Sequence, residues 1–323
     1  MDNAVVLFQT DPAFRAELEA ILSGFRVVFN ESEDTSSIDA EIAKNTVVIF
    51  GNPNPDFLVF CPRLRWLQLQ TAGANGYVNG EVAESVMLSC ATGALGHAVS
   101  EHMLALTFEL LKKLHFYRDE QAAGRWKERG NVKSIKGAVV LVIGLGDIGS
   151  AYAQHMKALG AYVIGVRRSA HAKPDYIDEL LLPPEMEEAL SRADVVAMAV
   201  PGTRDTAGLI GRAQLAKMKK GAVIINDGRG SCIDTEALCD ALESGNLEGA
   251  GLDVTDPEPL PAGHRLWKLE NAVITPHVAG FRFMKETGEY IMEINLENAR
   301  RFVQGEPLKS LVDYKTGYRM LRE

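Results

Sequence analysis

The chain has 323 residues, of which 46% are hydrophobic and 24% are charged, a composition typical of globular proteins rather than of disordered ones. The formal net charge of -9 excludes a general affinity for nucleic acid or for an anionic membrane surface. No apolar stretch is long enough to span a bilayer, and the N-terminus lacks the basic region of a signal peptide. We therefore expect a cytoplasmic protein, and the length predicts two domains.

The cysteines and histidines give no sign of a metal site. The four cysteines form no CxxC pair and no metal-ligand spacing with histidine: Cys61, Cys90, Cys232 and Cys239. This pattern predicts buried thiols in a reducing compartment. We predict that the protein binds no metal.

The N-terminal part alternates short apolar runs with helical or turn-like segments, which predicts a small parallel α/β unit. Its strands are expected at 4–8, 26–29, 46–50 and 66–70. A single long helix is then predicted over 98–123, because apolar residues recur at helical spacing and Gly124 ends the pattern. This helix is more apolar than one buried face requires, which predicts a homodimer.

The central part is more regular and predicts six strands, the number in a complete dinucleotide-binding fold. They are expected at 138–143, 162–166, 194–200, 222–226, 249–254 and 272–275. A last helix, from about Met284 to Val303, is predicted to pack back on the first domain. The prediction is an α/β protein with two Rossmann-like, doubly wound parallel-sheet domains and a cleft between them. Residues 1–97 and 285–323 would form a discontinuous, flavodoxin-like substrate domain, and 98–284 a dinucleotide-binding Rossmann domain.

A GxGxxG motif lies directly after the first strand of the central part, at Gly144, Gly146 and Gly149. The first glycine permits a tight turn, the second lets the backbone approach a pyrophosphate, and the third allows close packing of helix on strand. The diphosphate would then bind at the positive end of the helix. The alternative is a glycine-rich turn in another kind of α/β protein, and the ordered strands and helices around the motif argue against it.

The end of the second central strand indicates which dinucleotide is bound. NAD-selective folds carry Asp or Glu there, whereas this chain has Arg167, Arg168 and Ser169. An arginine can bind a 2'-phosphate through two hydrogen bonds, which favours NADP(H) by roughly tenfold to a hundredfold. We predict that Arg167 binds the phosphate directly, that Ser169 adds a donor, and that Arg168 stacks on the adenine. The alternative is a solvated arginine pair, and NAD(H) then remains a possible cofactor.

Three charged or titratable residues follow successive strands of the same predicted sheet: Arg229, Glu258 and His277. Ligands of open α/β sheets bind at that edge. A guanidinium can hold a carboxylate, a histidine can give a proton to a developing alkoxide, and a carboxylate can orient and charge that histidine. Taken singly, each has an ordinary structural explanation, as a surface ion pair, a loop carboxylate and a hydrogen-bonded histidine. Together they predict a catalytic set for hydride transfer between a nicotinamide and a small 2-oxo or 2-hydroxy acid.

Motifs along nearly the whole chain resemble those of the D-isomer-specific 2-hydroxyacid dehydrogenases, a family that includes glyoxylate/hydroxypyruvate reductases. The resemblance is carried by LQTAGANG at 69–76, GHAVSEHMLAL at 96–106, GLGDIG at 144–149, the turn at 201–206 and the segments that contain Arg229, Glu258 and His277. The resemblance implies that Arg229 binds the substrate carboxylate and carbonyl, that His277 is the acid/base and that Glu258 supports it.

The resemblance assigns further residues to the substrate and the cofactor. Backbone amides around Gly73 and Ala74 would hold the substrate carboxylate, and Asp253 would bind the nicotinamide amide. Alternatively, Gly73 is a plain loop glycine and Asp253 a cap at a strand end. The remaining predicted cofactor contacts are Asp147, Ile148, Pro201, Thr206, His277 and Gly280.

The chain departs from the family pattern in three places. Arg167 replaces the acidic residue, as in NADP-preferring members. Asp227 stands where a small uncharged residue is usual, and Asn75 where many members have Asp. Two other functions stay open at this point: an NAD-linked 2-hydroxyacid dehydrogenase that acts oxidatively, and a non-enzymatic dinucleotide sensor on the same fold.

Overall fold

The structure is a computed structural model that describes residues 1–169, 172–280 and 284–320. The chain forms two compact units, one comprising Met1–Leu95 and Met284–Glu323 and the other Gly96–Phe283. Both contain parallel sheets with helices on their faces, so the predicted α/β class with Rossmann-like units is confirmed. None of the helices in the described part is long and apolar enough to cross a membrane.

The N-terminal part of the first unit is a five-stranded parallel sheet with the order β2-β1-β3-β4-β5. Its elements are β1 Asn3–Val6, α1 Pro12–Ile21, β2 Arg26–Phe29, α2 Ala40–Lys44, β3 Thr46–Phe50, α3 Pro55–Leu58, β4 Trp66–Gln68 and β5 Met87–Ser89. All four predicted strands are present, and the fifth strand, β5, was not predicted.

The second unit contains a seven-stranded parallel sheet with the order β12-β11-β10-β9-β6-β7-β8. Its strands are β6 Val139–Ile143, β7 Tyr162–Val166, β8 Glu179–Leu181, β9 Val195–Met198, β10 Ala222–Asn226, β11 Leu247–Leu252 and β12 Ala272–Ile274. Its helices are α4 Gly96–Leu111, α5 Leu114–Ala122, α6 Asp147–Ala158, α7 Met186–Arg192, α8 Arg212–Lys217 and α9 Thr235–Glu243. The predicted count of six strands was wrong by one, since β8 is short and half-buried.

The single helix predicted over 98–123 is two helices, α4 and α5. The chain turns at Lys113, whose φ of +57° cannot continue a right-handed helix. The side chains of Lys112 and Lys113 donate to the carbonyls of Lys133 and Arg129, which fixes the turn. Helix α4 packs on α6 and on β10 and β11 within its own unit. This packing accounts for much of its apolar surface, and the homodimer stays a prediction.

The C-terminal part of the first unit consists of α10 Lys285–Gln304 and a hairpin of β13 Val312–Asp313 and β14 Tyr318–Arg319. Helix α10 packs on α1, and Phe302 stacks on Trp66 with ring centroids 5.2 Å apart. Asn298 donates to the buried Gln68 of β4 at 2.8 Å.

Candidate active site

The glycine turn after β6 leaves no room for side chains at two of its positions. Gly144 has a φ of +98°, and a Cβ atom there would lie 2.7 Å from the carbonyl oxygen of Ala199. A Cβ atom on Gly149 would lie 1.8 Å from the carbonyl oxygen of Gly144. Helix α6 therefore starts against the end of β6, with Gly146 at its N-cap. Such an N-terminus presents backbone N–H groups and a positive dipole end, which suit a diphosphate.

Two predicted cofactor contacts also have local structural roles. The carboxylate of Asp147 accepts a hydrogen bond from the backbone N–H of Gly96 at 2.9 Å, which ties the start of α4 to that of α6. In the turn after β9, the hydroxyl of Thr206 donates to the carbonyl of Pro201 at 2.5 Å. Ile148 is partly buried in the first turn of α6. Their roles toward a cofactor stay predictions.

Arg167, Arg168 and Ser169 come directly after β7, the neighbour of β6 in the sheet. The backbone N–H of Arg167 still bonds to Leu181 of β8, at 3.2 Å, and its side chain is partly exposed. Arg168 is exposed. The basic pair thus lies at the carboxyl end of the strand that follows the glycine turn, where dinucleotide folds bind the adenosine ribose.

The loop after β10 positions Arg229 through its neighbours. Asn226 accepts from the N–H of Gly228 at 3.1 Å and donates to the carbonyl of Arg229 at 3.0 Å, so one side chain closes the loop. A Cβ atom on Gly230 would lie 2.0 Å from the backbone of Thr255. This close approach brings the Arg229 loop against the loop after β11, which carries Glu258.

Glu258 and His277 meet as predicted from their order along the sheet. Nδ1 of His277 lies 2.5 Å from Oε1 of Glu258, and both side chains are close to half exposed. His277 has a φ of +53°, an uncommon conformation for a residue other than glycine. Its N–H donates to the carbonyl of Asp253 at 2.9 Å, which helps to hold this conformation. Because Nδ1 faces the carboxylate, Nε2 is the nitrogen left for proton transfer.

The carboxylate of Asp253 stabilises the turn that contains His277. This buried carboxylate accepts from the backbone N–H groups of Val278 and Ala279, at 2.9 and 3.0 Å, and from the hydroxyl of Thr275 at 2.6 Å. Asp253 thus caps the segment after β12, and its contact with a nicotinamide amide stays a prediction.

The other predicted residues are placed as follows. Gly73 and Ala74 lie in the first unit, after β4, where the carbonyl of Gly73 accepts from the hydroxyl of Thr71 at 2.7 Å. Gly280 is the last described residue before the gap at 281–283 and follows the Asp253-bound turn. Their predicted contacts with substrate and cofactor stay predictions. All four cysteines are buried, and burial raises the pKa of Cys61 to about 12.

Sequence reasoning missed the residues that support this set, among them Asn226, Gly230, Thr275 and His102. The hydroxyl of Thr275 lies 2.9 Å from Nε2 of His102. Asn226 precedes Arg229 by three residues, and at this spacing an asparagine side chain can bond to the backbone of the turn that follows it. That spacing was the signal available in the sequence.

Comparisons with known proteins identify the family of the chain. Residues 104–279 match the family model described as D-isomer specific 2-hydroxyacid dehydrogenase, NAD binding domain. A hydroxypyruvate reductase of Blautia hydrogenotrophica is 28% identical over 81% of this chain and 83% of its own length. A glyoxylate reductase of Pyrococcus horikoshii is 33% identical over 74% of each chain. The crystal structure of a D-isomer specific 2-hydroxyacid dehydrogenase from Xanthobacter autotrophicus, in complex with NADPH and MES, matches with a TM-score of 0.83 and 26% identity over 98% of this chain and 99% of that one.

Proposed function

The chain belongs to the D-isomer specific 2-hydroxyacid dehydrogenase family, and from that premise we propose that it is an NADPH-dependent reductase of a small 2-oxo acid, of the glyoxylate or hydroxypyruvate kind, with a D-2-hydroxy acid as product. The observation that carries the proposal is the His277–Glu258 pair, joined at 2.5 Å beside the loop of Arg229. A proton donor next to an anion-binding cation is what the reduction of a 2-oxo acid requires.

A nicotinamide dinucleotide suits the residues of the second unit. The backbone at Gly144 and Gly149 is packed so closely that only glycine fits, which leaves the N-terminus of α6 open to a diphosphate. Arg167 and Ser169 would bind the 2'-phosphate, Arg168 would stack on the adenine, and Asp253 would bind the nicotinamide amide. The bound nicotinamide supplies the hydride.

The chain's own residues would bind the acid and move the proton. Arg229 binds the carboxylate of the 2-oxo acid and polarises the carbonyl that is reduced. His277 donates a proton from Nε2 to the oxygen that becomes the hydroxyl. Glu258 holds Nδ1, fixes the orientation of the ring and stabilises its positive charge before the proton leaves. The amides around Gly73 and Ala74 are proposed as further carboxylate donors.

The cofactor preference is the part of this proposal that one substitution tests. We expect a higher kcat/KM with NADPH than with NADH, and the preference should be erased or reversed in Arg167→Asp, because a carboxylate repels the 2'-phosphate and accepts from a free 2'-hydroxyl. The matched control is Arg118→Asp, the same charge reversal at an exposed residue of α5 in the same unit. A wild-type preference for NADH, or an unchanged ratio in Arg167→Asp, would contradict the assignment of the phosphate to Arg167.

The substrate is tested by a panel read with both cofactors in both directions. Glyoxylate, hydroxypyruvate, pyruvate and longer 2-oxo acids should be reduced with different kcat/KM values, and the short acids should be preferred. Absence of cofactor consumption across the panel, with NADPH binding intact, would favour a non-enzymatic dinucleotide sensor. A homodimer is also proposed, and light scattering of the purified chain would measure it.

A further inference from the structure

One buried acidic side chain lies beside the catalytic set without any role in it. Asp227, in the loop between β10 and Arg229, is only 6% exposed. Neither of its carboxylate oxygens has a hydrogen-bond partner in the described part of the chain. An ionised carboxylate buried in this way is strongly disfavoured, so the charge must be neutralised by a cation, a metal ion or a proton.

The register of the sheet places this side chain next to Asp253. Ile225 of β10 pairs with Gly251 of β11, and a Cβ atom on Gly251 would lie 3.0 Å from Ile225 and 3.0 Å from Leu106 of α4. Asp227 follows Ile225 by two residues, and Asp253 follows Gly251 by two residues. Because alternate residues of an extended chain share a face, the two aspartates lie on the same face of the sheet. One helical turn before Leu106 is His102, and its ring nitrogen lies within 4.8 Å of a carboxylate oxygen of each aspartate.

Among the described residues, the groups that face Asp227 include no arginine or lysine. They are Asp253 after β11, His102 of α4 and Tyr152 of α6, whose hydroxyl is shared with Thr107 at 2.8 Å. In the same loop, Arg229 donates instead to the carbonyl of Gly228, at 2.7 Å.

The hydrogen bonds of His102 engage one of its two ring nitrogens. The Thr275 hydroxyl donates to Asp253 and therefore accepts from Nε2 of His102. A proton on Asp227 neutralises the buried carboxylate without any further group, and a metal ion is the alternative that the test below distinguishes from it.

We propose that Asp227 is held as a neutral carboxylic acid and that it is a positioning residue, which keeps Asp253 as the only charge of the buried pair and so preserves the turn that presents His277. Burial, and next to it the charge of Asp253, raise the pKa of Asp227 well above its ordinary value. Ionisation of Asp227 would place a second negative charge within 4.8 Å of Asp253. The repulsion would pull Asp253 away from Thr275, Val278 and Ala279.

The first test uses the chain without cofactor and is independent of the proposed function. Urea unfolding of wild type and Asp227→Asn is compared between about pH 5 and pH 9. Because Asp227 holds its proton in the folded state and loses it on unfolding, the unfolding constant of wild type should rise with pH relative to that of the variant, by up to about tenfold per pH unit. The matched control is Glu270→Gln, the same chemical change at an exposed carboxylate of the same unit, whose curve should parallel wild type.

Two different results would overturn the proposal. Parallel pH curves for wild type and Asp227→Asn would show that Asp227 has an ordinary ionisation. A stoichiometric divalent metal in purified wild type that is lost in Asp227→Asn would show that a metal neutralises it. If the asparagine variant does not fold, Asp227→Thr replaces it, since a small uncharged residue is usual in the family at this place.

The second test rests on the proposed function and examines positioning. In the oxidative direction His277 would accept the proton, a role that loss of a proton from its ring does not impair, so a fall of kcat/KM at alkaline pH reports another group. Wild type should show such a fall as Asp227 ionises, and Asp227→Asn should not. If the oxidative kcat/KM of Asp227→Asn falls at alkaline pH as much as that of wild type, Asp227 does not have the positioning role. Failure of wild type to bind NADPH in a fluorescence titration would instead mean that the proposed function is wrong.

Discussion

Two close pairs of side chains, His277 with Glu258 and Asp227 with Asp253, lie at the carboxyl end of the seven-stranded sheet. They differ in their exposure to solvent. His277 and Glu258 are 47% and 42% exposed, so water screens their charges. Asp227 and Asp253 are 6% and 2% exposed, and there a second charge has no water to screen it. We propose that the exposed pair exchanges protons with a substrate, whereas the buried pair holds one proton and fixes a backbone turn. On this proposal, proximity alone does not define an acid/base site.

The largest expected effect comes from the exposed pair. His277→Ala should lower kcat for 2-oxo acid reduction by about 10²- to 10⁴-fold, the usual contribution of a general acid, with a smaller change in KM. Steady-state kinetics at saturating NADPH measure this split. As a control, Arg229→Ala should mainly raise KM, because its proposed role is to bind the carboxylate. A His277→Ala variant with near wild-type kcat would remove the exposed pair from the mechanism.

Replacing either aspartate of the buried pair with asparagine should change the free energy of unfolding, but in opposite directions. Asp253→Asn removes the acceptor charge that faces three donors and should lower the free energy of unfolding by about 1–3 kcal/mol. Asp227→Asn removes no hydrogen bond and should raise it at neutral pH. The pKa of Asp227 is raised in the folded state, so its proton stabilises the fold fully below about pH 4 and this stabilisation is lost as pH rises toward the raised pKa. The gain in Asp227→Asn should therefore grow with pH, and urea unfolding at several pH values measures it. Equal effects of the two substitutions would contradict the distinction between them.

The exposed pair could be predicted from the sequence and the buried pair could not. Glu258 and His277 follow neighbouring strands, and parallel strands bring their carboxyl ends to one edge, so their meeting follows from chain order. The burial of Asp227 depends on α4 covering that face, which needs the close approach at Gly251. The alternation of Ile225 and Asp227 was a usable signal, because Ile225 lies within a predicted strand and residues two apart share a face.

Element boundaries failed where local backbone conformation overrode the apolar pattern. Leu110 and Leu114 continue the helical spacing across Lys113, so the periodicity contains no sign of the left-handed residue that separates α4 from α5. Strand β8 spans three half-buried residues, too few for alternation to be visible. The glycine turn was predictable because the packing of strand on helix requires glycine itself.

The smallest expected effect is that of Glu258→Gln. It distinguishes whether Glu258 acts on His277 through its charge or only holds the ring in place. Glu258→Gln should change the free energy of unfolding by no more than about 1 kcal/mol, since the pair with His277 is close to half exposed. Reduction requires the protonated ring, and loss of the negative charge disfavours that form, so the decline of reductive kcat/KM should move to lower pH. Oxidation requires the neutral ring, and its rise should move in the same direction. The measurement is kcat/KM against pH in the reductive direction for wild type and Glu258→Gln, with Glu270→Gln as the control. Because glutamine can still accept from Nδ1, a shifted profile with little change in KM would mean that Glu258 acts through its charge. An unshifted profile would assign Glu258 to holding the ring alone, and the proton donated by His277 would then be controlled by another group.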